Sequence, residues 1–182
     1  DIWIGLPDSE FERVAEIVKP TAMANLGEMT DLKRAAFFAA WASPGGSGTA
    51  DWRRMELPSA NGHATAPALA RLMAALANDG RLDGHQLLAP GVAAEAARAR
   101  ISGRDLVLPF DLSWGAGFLR NQGLDIYGPG PNSFGHSGWG GSCAFADPDR
   151  RISGAYVMNR QSPHLIGDPR PVGLIDAVYA AL

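Results

Sequence analysis

The spacing of apolar and polar residues predicts two short helices near the start of the chain. Ser9 and Glu12 form a capping-box pattern, and the apolar residues around and after them repeat at helical spacing until Pro20 ends the run. A second helix is predicted to begin at Thr30 and to run through LKRAAFFAAW, until the stretch SPGGSG, Ser43 to Gly48, interrupts it. Because SPGGSG lacks the lysine and the spacing of a phosphate-binding motif, it predicts an ordinary loop.

The clearest periodicity lies in the stretch PSANGHATAPALARLMAALANDG. Thr65 can cap a helix that has Pro67 in its first turn, and Gly80 can close it. The apolar face of this helix is formed by Leu69, Leu72, Met73 and Leu76. A further helix is predicted from Pro90 through AAEAARAR, whose alanines and arginines suit a solvated surface.

The pattern changes after Asp111 to short segments rich in glycine and aromatic residues. Four of them have strand character: SWGAGFLR, LDIYG, SCAFAD and RISGAYVMN. The sequence DPDR, Asp147 to Arg150, is typical of a type I turn, so an antiparallel hairpin is predicted from about Ser142 to Asn159.

A last helix is predicted after Asp168, which can cap it with Pro169 at the first position. Its repeating apolar positions are Leu174, Ala177, Val178 and Ala181. The predicted fold class is therefore α+β: a mainly helical part over 1–110, then antiparallel strands and a terminal helix over 111–182. We expect the terminal helix to cover one face of the sheet, and the whole chain to form a single unit.

Composition narrows the functional classes. With 182 residues, 46% hydrophobic and 19% charged, the chain is typical of a globular protein that buries a core. A net charge of −3 and only two lysines give no basic stripe, so nucleic-acid binding is not expected. No apolar run approaches the roughly 18 residues that span a bilayer, so no membrane span is expected, and the N-terminal residues lack the pattern of a signal peptide.

Metal binding and disulfide bonding have no support in the sequence. The four histidines and the lone Cys143 do not show the spacing of a metal-binding motif, and a single cysteine cannot form an intrachain disulfide. Cys143 shares a strand face with Phe145, which favours a place in the core over a role as nucleophile. We expect neither a metal nor another cofactor.

The glycine-rich stretch FGHSGWGGS, Phe134 to Ser142, is the strongest candidate for chemistry. It approaches the GxSxG pattern of a nucleophile elbow but lacks the last glycine. His136 and Ser137 are adjacent, so on a strand their side chains point to opposite faces and do not form a local dyad. Glycines on both sides of His136 allow close approach of a ligand, while a purely structural histidine remains the alternative.

These segments resemble the serine beta-lactamase-related hydrolases, which include class C-like beta-lactamases and family VIII carboxylesterases. The resemblance spans nearly all of the chain and rests on NGHATAPALARLMAALANDGRLDGHQLLAP, LSWGAGFLR and FGHSGWGGSCAFADPDRRISGAYVMNR. In that family the active site combines a Ser-x-x-Lys motif, a tyrosine motif and a Lys-Thr-Gly or His-x-Gly motif on a strand that edges the cleft. His136, Ser137 and Gly138 match the third motif.

The resemblance implies roles for residues around this third motif. His136 and Ser137 would bind and orient the substrate, Trp139 would direct its backbone N–H into the oxyanion hole, and Gly138 and Gly140 would let an acyl group approach the backbone. Two more pairs are weaker candidates. Asn61 and His63 precede a helix that starts near the cleft in the family, so they would contact substrate; the alternative is that they only form a turn and a helix entry. Trp114 and Trp139 would line an apolar wall for an acyl chain; the alternative for Trp114 is a place in the sheet core.

Two family motifs are missing, because no serine precedes a lysine by three positions and no Tyr-x-Asn occurs. The chain therefore resembles the C-terminal half of such an enzyme, whose N-terminal half would be its partner. Alone, it is expected to be inactive and to expose an apolar patch that favours self-association.

Two functional hypotheses follow. The first is half of a serine hydrolase that acts on small-molecule esters or beta-lactams through an acyl-enzyme. The second is a non-catalytic module that binds a ligand or peptide with the same cleft wall. The sequence leaves localisation open; the resemblance alone would imply a bacterial cytoplasmic or periplasmic type.

Overall fold

A six-stranded antiparallel sheet forms the centre of the computed structural model, which describes residues 1–39 and 47–182. The helices are α1 (Asp31–Phe38), α2 (Ala50–Arg54), α3 (Ala66–Ala77), α4 (Val92–Ala97) and α5 (Pro169–Ala180), with a 3₁₀ helix at Asp8–Arg13. The strands are β1 (Ile2–Ile4), β2 (Gly62–Ala64), β3 (Arg81–Leu82), β4 (His85–Gln86), β5 (Ile101–Arg104), β6 (Asp111–Trp114), β7 (Leu119–Arg120), β8 (Phe134–Ser137), β9 (Cys143–Asp147) and β10 (Ile152–Tyr156).

The central sheet has the strand order β10-β9-β8-β7-β6-β5, so each strand pairs with its neighbours in the sequence. The β9–β10 hairpin pairs Cys143 with Tyr156 and Asp147 with Ile152, as the sequence predicted. Its turn is stabilised by the Asp147 carboxylate, which accepts hydrogen bonds from the N–H groups of Asp149 and Arg150. Two small sheets, β1–β2 and β3–β4, lie outside this one.

Helices cover both faces of the central sheet. Cys143 and Phe145 of β9 belong to the hydrophobic cluster that includes Ile175 of α5. Ala146 of β9 belongs to a second cluster with Met73 of α3. Because successive strand residues point to opposite faces, α3 and α5 cover opposite faces of the sheet. The prediction that the last helix covers one sheet face is confirmed.

Three predicted helix starts are confirmed with their caps. The Thr30 and Thr65 hydroxyls accept hydrogen bonds from the backbone N–H groups of Lys33 and Ala68. The Asp168 carboxylate accepts one from Arg170 at the start of α5. Gly80 closes α3 by donating to the Ala75 carbonyl.

Several predicted elements are wrong. Only the 3₁₀ helix forms near Ser9, because Val18 exchanges backbone hydrogen bonds with Asn159 and Gln161. The helix predicted from Pro90 spans only Val92–Ala97, since the Arg100 N–H already bonds to the Trp114 carbonyl beside the next strand. Over 1–39 and 47–110, the structure has four α-helices but also five short strands that the sequence did not predict.

The segment LDIYG, residues 124–128, is a loop and not a strand. The side chain of Asn121 organises it by donating to the Gly128 and Gly130 carbonyls and accepting from the Tyr127 N–H. On α5, the predicted apolar stripe is also misplaced: Pro171 and Ile175 are buried, whereas Leu174 and Val178 face solvent. Most of the SPGGSG stretch, and the end of LKRAAFFAAW, lie outside the described residues.

No described helix is both long and apolar enough to cross a membrane. Across 1–39 and 47–182, no three metal-ligating side chains lie together in a metal-binding arrangement.

Candidate active site

The candidate site lies where β8 ends and a tight loop leads back into β9. The loop, residues 138–142, is closed by a hydrogen bond of 2.8 Å from the Gly138 N–H to the Ser142 carbonyl. Gly140 and Gly141 adopt φ angles of +110° and +115°, a region that side chains rarely permit. The tandem glycines therefore have a structural cause: they let the loop reverse sharply after His136.

The backbone N–H of Trp139 differs from those of its neighbours in this loop. Gly138, Gly140 and Gly141 each donate to a carbonyl oxygen, of Ser142, His164 and Gly138 respectively. Among the described residues, none accepts a hydrogen bond from Trp139 N–H. Trp139 is also 37% exposed. Within the described residues, the N–H groups of Trp139 and Ser142 are thus the loop donors without an acceptor, and of the two residues Trp139 is the more exposed.

His136 and Ser137 are separated by the alternation of β8, as predicted. His136 is exposed and pairs in register with Ala144, whereas Ser137 pairs with Cys143. The Ser137 hydroxyl lies 3.0 Å from the Tyr127 hydroxyl, and no hydrogen bond links it to His136 within the described part of the chain. Burial raises the pKa of Tyr127, against a smaller opposing effect of the bond with Ser137, so its hydroxyl stays protonated.

The two tryptophans of the candidate apolar wall contact different partners. The Trp114 ring lies 5.6 Å from the His136 ring, and its indole N–H donates to the Asp105 carboxylate at 3.1 Å. The Trp139 ring lies 5.4 Å from Phe37 of α1, edge to face. Trp114 also packs against the sheet core, which is the alternative that the sequence analysis gave for it.

Asp105 anchors Trp114 as an ionised carboxylate. Burial alone would raise the pKa of Asp105, but hydrogen bonds from the N–H groups of Leu108, Val107 and the Trp114 indole outweigh burial and lower it. The indole is therefore held beside His136 by a charged acceptor.

Little space exists on the Ser137 side of the loop. A cavity of about 10 Å³, lined by residues that include Tyr127, Ser137 and Cys143, has room for at most one water molecule. Any larger molecule would have to lie on the exposed side, next to His136 and the Trp139 N–H.

Comparison with known proteins gives the family. The family model described as Beta-lactamase matches residues 1–177 of the chain. This chain belongs to the beta-lactamase family. The α+β fold with antiparallel strands and a C-terminal helix is accordingly a beta-lactamase-like fold.

Individual relatives carry hydrolase and penicillin-binding names. A penicillin-binding protein homologue from Caulobacter crescentus, of known structure, is 62% identical, with a TM-score of 0.94 over 100% of this chain and 48% of its own. A family VIII carboxylesterase is 37% identical, with a TM-score of 0.88 over 100% of this chain and 47% of its own. Esterase/beta-lactamase LipL from Mycobacterium tuberculosis is 35% identical over 173 residues, 87% of this chain and 39% of that protein. The chain spans about half, or less, of the length of these beta-lactamase-family relatives.

No described contact joins Asn61 or His63 to the glycine loop, residues 138–142. Asn61 is fully buried, accepts from the Leu57 N–H at 3.0 Å and donates to the Trp52 and Met55 carbonyls. His63 pairs with Trp3 of β1, and its ring lies 5.8 Å from Trp52. Asn61 is therefore a buried structural residue, and His63 lies on strand β2 directly before the Thr65 cap of α3, where the alternative expected a turn.

The sequence missed several residues that shape the site. Phe37, Asp105 and Tyr127 contact Trp139, Trp114 and Ser137 through loops or a helix that carry no motif. Asp168 was identified only as a helix cap. Its position three residues after Leu165, next to Arg170, gave no local signal of a contact with the glycine loop.

Proposed function

We propose that this chain is the C-terminal half of a serine hydrolase that cleaves esters or beta-lactams through an acyl-enzyme. A serine from an N-terminal half would attack the carbonyl carbon, the bond to the leaving oxygen or nitrogen would break, and water would then hydrolyse the acyl-enzyme. Relatives named esterase/beta-lactamase and carboxylesterase support this reaction class. Their lengths, about twice that of this chain, support a second half.

The single observation that carries the proposal is the free N–H of Trp139. An oxyanion hole needs preorganised donors directed at the oxygen on which negative charge develops. The N–H groups of Gly138, Gly140 and Gly141 donate to carbonyl oxygens of the protein, whereas no described residue accepts a hydrogen bond from the N–H of the exposed Trp139. We assign this group as one of the two oxyanion donors, the other coming from the nucleophile's segment.

The absence of a Ser-x-x-Lys pattern from this sequence agrees with this division. Neither Lys19 nor Lys33 follows a serine at the spacing of Ser-x-x-Lys. The Lys33 ammonium is buried and donates to the Leu26 and Glu28 carbonyls, at 2.6 and 2.8 Å. Lys33 is therefore engaged in holding a loop and does not serve as a catalytic base.

The remaining roles follow from position. His136, exposed beside Trp114, would orient the substrate, and the rings of Trp114 and Trp139 would contact its acyl part. Ser137 would act through the backbone of β8, since its hydroxyl is directed to Tyr127. Gly138 and Gly140 would allow the acyl group to lie close to the loop.

The test removes the Trp139 N–H from the full-length protein. In Trp139→Pro this donor is absent, whereas Trp139→Ala keeps it and loses only the ring. We expect Trp139→Pro to lower kcat for a short-chain nitrophenyl ester by about 100-fold or more, and Trp139→Ala by far less. Equal kinetics for the two variants, both shown to be folded, would remove this N–H from the oxyanion hole.

A second comparison tests His136 against a histidine on the surface β3–β4 hairpin. His136→Ala is expected to lower ester turnover about tenfold or more, whereas His85→Ala leaves it unchanged.

The isolated 182-residue chain should show neither turnover nor labelling by a fluorophosphonate. A full-length protein that also shows neither would favour the non-catalytic binding module.

A further inference from the structure

The glycine loop is held from behind by the segment that leads into α5. The Gly140 N–H donates to the His164 carbonyl at 3.3 Å, and the Gly140 carbonyl accepts from the Ser162 N–H at 2.9 Å. The same carbonyl accepts a second hydrogen bond, of 3.1 Å, from the Arg170 guanidinium. Both polar backbone groups of the residue after Trp139 are thus tied to residues 162–170.

Arg170 joins three separate pieces of the chain. Besides Gly140, its guanidinium donates to the Arg160 carbonyl at 2.7 Å and to the Asp168 carboxylate at 2.7 and 3.0 Å. A planar guanidinium fits such a set of acceptors because its donors have fixed directions. An ammonium group has all its donors on one nitrogen, whereas these bonds come from three different nitrogens of Arg170.

Asp168 fixes the orientation of that guanidinium. Its side chain is only 2% exposed and also accepts from the Ser162 hydroxyl. Burial alone would raise the pKa of Asp168, but the hydrogen bonds from Arg170 and Ser162 outweigh burial and hold it well below its usual value. The carboxylate therefore stays ionised and keeps Arg170 in place.

The loop lies directly on this pair. At Gly141, with φ of +115°, a Cβ atom would overlap the Asp168 carboxylate and the Arg170 guanidinium. The packing leaves the loop no freedom to move towards α5.

We infer that Asp168 and Arg170 form a positioning pair that holds the glycine loop so that the Trp139 N–H faces the reacting oxygen. This inference rests on the proposed function. The hydrogen bond from Gly138 to Ser142 holds the loop on one side of Trp139, and the bonds of Gly140 hold it on the other. Because small displacements of a catalytic donor cost large factors in rate, the pair acts on turnover without touching substrate.

The test compares Arg170 with Arg150, a matched arginine at the other end of the β9–β10 hairpin. Arg150 also pairs with a buried aspartate, Asp147, at 3.6 Å, and its guanidinium lies 5.6 Å from the ring centre of Tyr179. The corresponding distance from Arg170 to Tyr156 is 5.9 Å. Arg150 has no described contact with the glycine loop, so its removal controls for loss of an ion pair and a ring contact.

In the full-length protein, Arg170→Ala and Arg170→Lys are expected to lower kcat for the nitrophenyl ester by about 10- to 100-fold with little change in KM. Arg150→Ala should leave both constants unchanged. Millimolar methylguanidinium should restore part of the kcat of Arg170→Ala but not of Arg170→Lys. Arg170→Lys guards against misfolding, because it keeps a positive charge beside Asp168.

Amide hydrogen exchange in the full-length protein measures the loop independently of activity. The Gly140 N–H should exchange about tenfold faster or more in Arg170→Ala than in the wild type or Arg150→Ala. Unchanged exchange, or a kcat loss shared by Arg150→Ala, would overturn the positioning role. If the folded wild-type full-length protein shows neither turnover nor labelling, the proposed function is overturned. The pair would then have no catalytic purpose, even if hydrogen exchange shows that it holds the loop.

Discussion

Cys143 shows how burial controls the chemistry of a single residue. It is 7% exposed and belongs to the same cluster as Phe145. Burial raises the pKa of the Cys143 thiol to about 11; a backbone hydrogen bond from Tyr156 opposes this rise, and the charge of Asp168 adds to it. Because the thiolate is the reactive form, the thiol should be inert at neutral pH.

We expect the native chain to remain unlabelled by a disulfide reagent such as DTNB at pH 8, and one thiol to be labelled after unfolding in urea. Since the folded pKa lies above the reference value of about 8.5, the native rate should rise as pH approaches 11. Rapid labelling of the folded chain at pH 8 would show that Cys143 is accessible and its pKa unperturbed.

The alternation of a strand accounts for what could be predicted about individual residues. It placed Cys143 on the same side as Phe145, and it separated His136 from Ser137. The contacts of Trp139 with Phe37 and of Ser137 with Tyr127 could not be predicted in this way. They join residues whose relative positions depend on the paths of irregular loops.

At the scale of whole elements, α5 is attached to the sheet by a buried hydrogen bond as well as by apolar packing. The Tyr179 hydroxyl donates to the Asp147 carboxylate at 2.7 Å, and Asp147 is fully buried at the end of β9. Burial raises the pKa of Tyr179, and the neighbouring carboxylate raises it further, so the hydroxyl remains a donor. A helix and a hairpin turn thereby share one buried hydrogen bond.

Tyr179→Phe should lower the free energy of unfolding by about 1–3 kcal/mol, because it leaves a buried carboxylate with one donor fewer. Urea denaturation would measure the loss. Tyr156→Phe is the matched control: among the described residues its hydroxyl has no hydrogen-bond partner, and we expect a change within about 0.5 kcal/mol. Similar losses in both variants would mean that ring packing, and not the bond to Asp147, attaches α5.

The helices were predicted well where a side chain caps its own backbone, as at Thr30, Thr65 and Asp168, because capping is decided within four residues. Prediction failed where contacts with residues far away in the sequence determine the local structure. Residues 14–18 carry a helical pattern, yet Val18 pairs with the backbone beside Arg160. Likewise, the 124–128 segment has strand composition but is held as a loop by the side chain of Asn121.

The described part of the molecule has two features that its own residues leave open: an apolar face on α5 and an edge of the central sheet. Leu174 and Val178 on α5, and Leu182 just beyond it, are 58%, 52% and 79% exposed. The strand β10 ends the six-stranded sheet, so one row of its backbone groups is unpaired by any described strand. The periodic pattern that predicted α5 therefore marked a surface that residues 1–39 and 47–182 leave exposed. In the proposed full-length enzyme, the N-terminal half would have these features available to pack against.

We expect the purified 182-residue chain to self-associate through this face, with light scattering giving a mass that rises with concentration. Leu174→Lys combined with Val178→Lys should lower that mass without lowering stability, because both side chains are already in solvent. Leu106→Lys is the control, since Leu106 is equally exposed but lies in the loop before β6. A monomer at every concentration would contradict the prediction. Association that survives the α5 variant but not a proline introduced in β10 would assign it to the sheet edge, because proline removes a backbone donor from the strand.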